Sequence, residues 1–199
     1  MEIYRSLNEF IPIGSSVITI GSYDGLHRGH HEIIRLVVNH AQAKNIISFI
    51  VTFDPHPKYI IEKKETLEGK ILMHLEEKIE YFERIGIDYI WIIPFDENVL
   101  KISANDFLEY YIMKYFNPSN IVIGYDHNFG YKKRGNSDFL SLHQSFYKYN
   151  LHVIEPILFN NEVVSSSIIR KYISNGRVDL VKKYLGRNYA LKGDIVKGK

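Results

Sequence analysis

Short apolar runs and stretches of helical period take turns along most of this chain. Val17-Ile18-Thr19-Ile20 is apolar and largely β-branched, Gly21 breaks it, and from about Gly29 the residues Ile33, Ile34, Val37, Val38 and Ala41 recur at helical spacing. That predicts strand, turn, helix. Residues 46–52 form a second apolar run, ending at the proline-stiffened Phe53-Asp54-Pro55-His56-Pro57. Leu75, Ile79 and Phe82 set a helix over 75–85, Gly86 stands where a left-handed C-cap belongs, and 89–94 returns to strand character. Ser103, with Asp106 three positions on, opens a helix that stops near Asn117-Pro118. A strand at 120–124, a helix at 137–147 and a strand at 151–155 follow. Beyond Pro156 the period changes to two short helices, 166–174 and 178–185, trailed by Gly176 and Gly186.

Strands alternating with helices imply an α/β fold built on a doubly wound parallel sheet, here with a C-terminal helical segment, because parallel neighbours need covered crossovers. Such sheets bind ligands beyond the carboxyl ends of their strands. Residues 21–30, 53–57 and 124–135 each follow a strand. Three unusual loops are therefore expected at one edge.

Composition narrows the partners. A chain of 199 residues can bury one full core, and a formal charge of +2 argues against a dominant nucleic-acid field, although Lys132, Lys133 and Arg134 form a small basic cluster. There is no cysteine, which removes disulfides, thiolate nucleophiles and cysteine-based zinc sites. The first twenty residues carry charges and a proline rather than the uninterrupted apolar core of a signal peptide, and no run reaches the roughly 18 apolar residues of a membrane span. The expectation is a cytoplasmic protein of small-molecule substrates, with neither nucleic acid nor membrane as partner and the oligomeric state open.

The turn G-S-Y-D-G-L-H-R-G-H at 21–30 carries the most chemistry. Gly25 and Gly29 allow close backbone approach, a helix start offers free N–H groups and a favourable dipole, and His27 and His30 share one helix face. This suits a phosphate. A polar helix-capping loop is the bland alternative, and zinc at His27, His30 and His31 is weaker because no cysteine assists. The Walker loop is missing, since G-Y-K-K-R-G-N-S at 130–137 puts asparagine where its lysine belongs. The G-x-G-x-x-G of dinucleotide crossovers is missing too.

This turn resembles the H-x-G-H signature of the nucleotidyltransferase superfamily, in the longer G-x-F-D-G-x-H-x-G-H form of prokaryotic FAD synthetases. T-F-D-P-H-P at 52–57, G-Y-D-H-N-F-G at 124–130 and S-S-S-I-I-R at 165–170 are similar to that family's later motifs, in order, so the likeness spans about 18–199. It implies a Rossmann-like nucleotidyltransferase fold over residues 1–186 that transfers AMP from ATP to FMN, yielding FAD and pyrophosphate, with Mg²⁺. His27, His30 and Arg170 are implied as catalytic. Gly21, Tyr23, Asp24, Gly25, Gly29, Ser165 and Ser166 would bind ATP, and Phe53, Pro55, His56, Asp126 and Asn128 the flavin. Asp24 and Thr52 are candidate metal oxygens, and His31 has no implied role. Tyr23 departs from the family's phenylalanine and adds a hydroxyl. Residues 187–199 resemble the linker and first strand of a riboflavin kinase domain whose P-T-A-N motif is missing, so kinase activity is not expected from these residues. Two alternatives stay open: a noncatalytic nucleotide- or flavin-binding module, and a sister nucleotidyltransferase with another phosphorylated acceptor.

Overall fold

The structure is a computed structural model, and it describes residues 1–10, 14–62, 71–191 and 193. β1 (Glu2–Tyr4) is followed by β2 (Ser16–Ile20), α1 (Arg28–Lys44) and β3 (Ile47–Asp54). Next come the short α2 (Lys58–Ile61), α3 (Leu75–Ile85), β4 (Tyr89–Pro94) and α4 (Glu97–Lys101). One helical rod then runs through α5 (Ala104–Asp106), a π-helical stretch (Phe107–Met113) and α6 (Lys114–Phe116), leading to β5 (Pro118–Gly124). α7 (Ser137–Tyr147), β6 (Asn150–Ile154), the hairpin β7 (Leu158–Phe159) and β8 (Glu162–Val163), α8 (Ser166–Ser174) and α9 (Val178–Leu185) complete the order.

Among the described residues six strands form one parallel sheet in the order β1-β4-β3-β2-β5-β6. The order reverses between β2 and β5, and at such a switch point the crossovers leave on opposite faces and open a crevice beyond the strand ends. Adjacent residues of one strand point to opposite faces, so Val17 joins Ile34, Val37, Ile50 and Phe82 under α1 and α3, while Ile18 joins Phe49, Val51, Phe107 and Phe116 under the helical rod. Both faces are dry. A third apolar cluster, with Val164, Ile169, Val181 and Leu185, holds α8 and α9 together and takes in Leu72 from the loop before α3.

The doubly wound parallel sheet and the C-terminal helices are as the hydrophobic pattern predicts, and Leu75–Ile85, Tyr89–Pro94 and Ser137–Tyr147 agree to the residue. Gly86 takes up the left-handed cap at φ 90°. β1, α4 and the β7–β8 hairpin were not anticipated, and the rod from Ser103 is wound partly as π-helix rather than as one regular helix. The linker and strand expected over 187–199 fall mostly outside the described residues. Among the described residues no helix is long and apolar enough to cross a membrane.

Candidate active site

The first turn is built by steric necessity. A Cβ on Gly21 would stand 2.9 Å from Cζ of the Tyr23 ring, and one on Gly25, at φ 79°, would meet Leu72 at 2.8 Å. Tyr23 itself has φ 49° and folds its ring back into the core. Its hydroxyl lies 2.6 Å from Thr19 Oγ1, and because that oxygen donates to Val122 O at 2.6 Å, the tyrosine must be the donor between them. Burial raises the phenol's pKa further. The extra hydroxyl is thus spent inside, tying the turn to β2 and β5.

His27 caps α1: its Nδ1 accepts the backbone N–H of His30 at 3.4 Å, which leaves the proton of the neutral ring on Nε2. The rings of His27 and His30 stack with centroids 3.6 Å apart and planes 18° apart. Burial, reinforced by the charge of neighbouring cationic and histidine groups, lowers His27 to about 4 and pushes His30 well below the ordinary range. Both are neutral at pH 7 and act as hydrogen-bonding groups. His30 Nδ1 is buried with no partner among the described residues. His31 turns away to stack on Tyr81 at 5.0 Å.

The C-terminal helices grip this turn. Ser165 caps α8, Ser166 Oγ donates to Asp24 O at 2.8 Å, and Arg170 pairs with the Asp24 carboxylate, whose other oxygen accepts the Leu72 N–H at 2.9 Å. Arg187, just past α9, donates to Gly25 O at 2.9 Å. Two successive carbonyls of the turn are therefore held from one side. The starts of α1 and α8 meet at one cavity, and each helix start carries partial positive charge.

That cavity, about 610 Å³, lies at the switch point and is within the range of small-molecule sites. It is lined by His27, His30, Ser165, Ser166 and Arg170 and by Gly21, Tyr23, Asp24 and Gly29. Phe53, His56, Asp126 and Asn128 line it too, and Phe53 meets Phe95 edge-on at 5.4 Å. His56 Nδ1 accepts the Lys58 N–H at 3.2 Å, and burial lowers its pKa to about 4. Asn128 Nδ2 donates to Asp126 O at 2.7 Å, fixing that loop.

Three of the expected residues are not on the wall. Gly25 is buried in the turn, Pro55 is exposed outside, and Thr52 is buried beneath with its hydroxyl unpartnered among the described residues. Asp24 is a hard oxygen donor of the kind Mg²⁺ takes, but its two carboxylate oxygens already accept from Arg170 and from the Leu72 N–H, so only their remaining lone pairs would be open to an ion. Among the described residues no group of three or more acidic or histidine side chains gathers as a metal site.

Sequence reasoning missed Lys78, Arg187 and His127. Lys78 sits on the buried stripe of α3 and donates to Ser22 O at 3.0 Å. His127 lines the cavity and stacks on Phe129 at 5.7 Å, its Nε2 unpartnered among the described residues and its pKa lowered to about 4 by burial. For Lys78 the one available signal was a cation where the helical period calls for an apolar residue.

A stacked histidine pair at the start of α1 and the serine-rich start of α8 thus line one cavity, and the FAD synthetase family profile matches residues 13–168. The chain belongs to the FAD synthetase family. It is 31% identical over 202 residues to the bifunctional riboflavin kinase/FMN adenylyltransferase of Buchnera aphidicola subsp. Schizaphis graminum, covering 100% of this chain and 64% of that protein. The protein of the same name from Bacillus subtilis is 29% identical over 92% of this chain and 57% of its own length, and that of Escherichia coli K12 is 25% identical over 100% and 63%. The chain thus spans less than two thirds of these relatives. Among solved structures, a macrolide-efflux protein from Streptococcus pneumoniae superposes with TM-score 0.79 at 22% identity, over 94% of this chain and 62% of that one, a likeness of fold.

Proposed function

We propose that this member of the FAD synthetase family is an FMN adenylyltransferase: a phosphate oxygen of FMN attacks the α-phosphorus of ATP, the bond to the leaving pyrophosphate breaks, and FAD forms. The observation that carries this reading is the meeting of the α1 and α8 starts, with His27, His30, Ser166 and Arg170, beside an aromatic-lined cavity at the switch point.

The attacking group is already an oxyanion, so the site needs positioning and charge stabilisation rather than a nucleophile or a strong base. Neutral His27 offers its Nε2–H to a phosphate oxygen, and His30, next to it, offers its ring to the α-phosphate. Arg170 offers a planar fork to the leaving pyrophosphate. Asp24 is the candidate protein oxygen for Mg²⁺, which would neutralise triphosphate charge. Phe53, His56, Asp126 and Asn128 hold the flavin end. The working module is residues 1–186, joined by Arg187 through its bond to Gly25 O, and it acts in the cytoplasm.

Incubation with FMN, ATP and Mg²⁺, followed by chromatography, tests this. FAD from FMN, with riboflavin left unconverted, is the expected result. No FAD, but turnover of another phosphorylated acceptor, contradicts the choice of substrate.

A further inference from the structure

Lys78 lies 3% exposed on α3, and among the described residues it is the one buried lysine or arginine. Its stem occupies the stripe of Leu75 and Phe82, a place where methionine or leucine would pack without desolvating a charge. Burial disfavours the ammonium, so something must favour keeping it. Its ammonium donates to Ser22 O at 3.0 Å, in the turn that lines the cavity.

The charges around it are unequal. Asp24 is the one buried carboxylate among the described residues, and it is already paired with Arg170. Asp54 and Glu76 also attract Lys78, but Glu76 is exposed and Asp54 lies near the Arg5 guanidinium at 3.6 Å. His30 and His56, the titratable groups that feel Lys78 from α1 and from the β3 exit, are neutral. Lys78 and Arg170 therefore share one buried carboxylate behind the turn.

We propose that Lys78 is a positioning residue of the nucleotide site, fixing the phosphate-binding turn through Ser22 O and placing its ammonium behind that turn. It does not line the cavity, so it acts through the turn. This rests on the adenylyltransferase reading for the identity of the nucleotide.

The test compares Lys78→Met, which keeps the apolar stem and lacks the ammonium, with Lys78→Arg, which keeps the charge. MgATP binding by calorimetry, which needs no acceptor, is measured beside FAD formation. The Met variant, folded by circular dichroism, is expected to bind MgATP about tenfold or more weakly, with KM for FMN little changed. The His30 ring is expected to titrate higher by NMR once the nearby charge is gone, and Arg is expected to restore binding. A folded Met variant that binds MgATP like the wild type, or an Arg variant as weak as Met, overturns the proposal. If Lys78→Met does not fold, Lys78→Arg against Lys78→Gln decides: a weaker Gln variant supports the charge, and equal binding overturns it. A wild type that binds MgATP but makes no FAD refutes the reaction while leaving the Lys78 comparison standing.

Discussion

The Asp24 carboxylate, buried behind the first turn, is paired with the Arg170 guanidinium 146 residues further along the chain. This pair closes the C-terminal helices onto the turn at 21–30 and holds Arg170 at the cavity wall. Replacing Asp24 by Asn keeps the shape and removes the charge. Because Arg170 is partly solvated, the expected loss is about 2 kcal/mol, below that of a fully buried broken pair. Denaturant unfolding measures it, and a change within about 0.5 kcal/mol would show that the pair does not hold the helices.

His30 and His31 are neighbours with opposite fates: His30 stacks on His27 in the cavity, and His31 stacks on Tyr81 behind it. His30→Ala is expected to lose about 10²–10³ in turnover, the usual effect of removing one preorganised donor. His31→Ala is expected to affect stability and leave turnover near wild type. Steady-state kinetics on the two variants separates them; equal losses would break the assignment.

The path from sequence to site was uneven for physical reasons. Helices and interior strands carry their own period, so Val37 and Phe82 announce their buried faces without tertiary information. β1 is three residues joined to β4 by backbone pairing, and the β7–β8 hairpin has two residues a side, lengths at which no period can be read. The π-helical winding at Phe107–Met113 leaves no mark in the pattern. His27, His30 and Arg170 were legible from motifs, and the cavity gathers them. Pro55 belongs to a motif yet faces solvent, while Lys78 belongs to none of the motifs and reaches the turn only through packing of α3.

Tyr23, where the family's pattern has phenylalanine, donates to Thr19 Oγ1 within the core. Tyr23→Phe removes that donor but leaves Thr19 bonded to Val122 O, so no buried group is stranded. The cost should be about 1 kcal/mol of stability, seen as a small drop in Tm, with turnover unchanged. A large fall in turnover would place the hydroxyl in the chemistry.

Four cavity histidines make the fold acid-sensitive. Burial holds His27, His56 and His127 at about 4 and His30 well below its ordinary value. In the unfolded chain these rings titrate near 6.5, so between roughly 6.5 and 4 the unfolded state binds more protons and stability falls as the pH drops. Guanidinium unfolding at pH 7 and pH 5 should differ by about 2 kcal/mol or more, with pH 5 the weaker. Equal stability at the two values would mean that the rings are open to solvent.

The central claim is that the α-phosphate of ATP passes to FMN at the His27–His30 turn. Incubating the protein with FMN and ATP labelled at the α- or the γ-phosphorus, with Mg²⁺, tests it directly. The account predicts α-label in FAD and γ-label only in pyrophosphate, with both formed about 10²–10³-fold more slowly by His30→Ala. Label from the γ-position in the flavin product, or an unchanged yield of α-labelled FAD from His30→Ala, would contradict it.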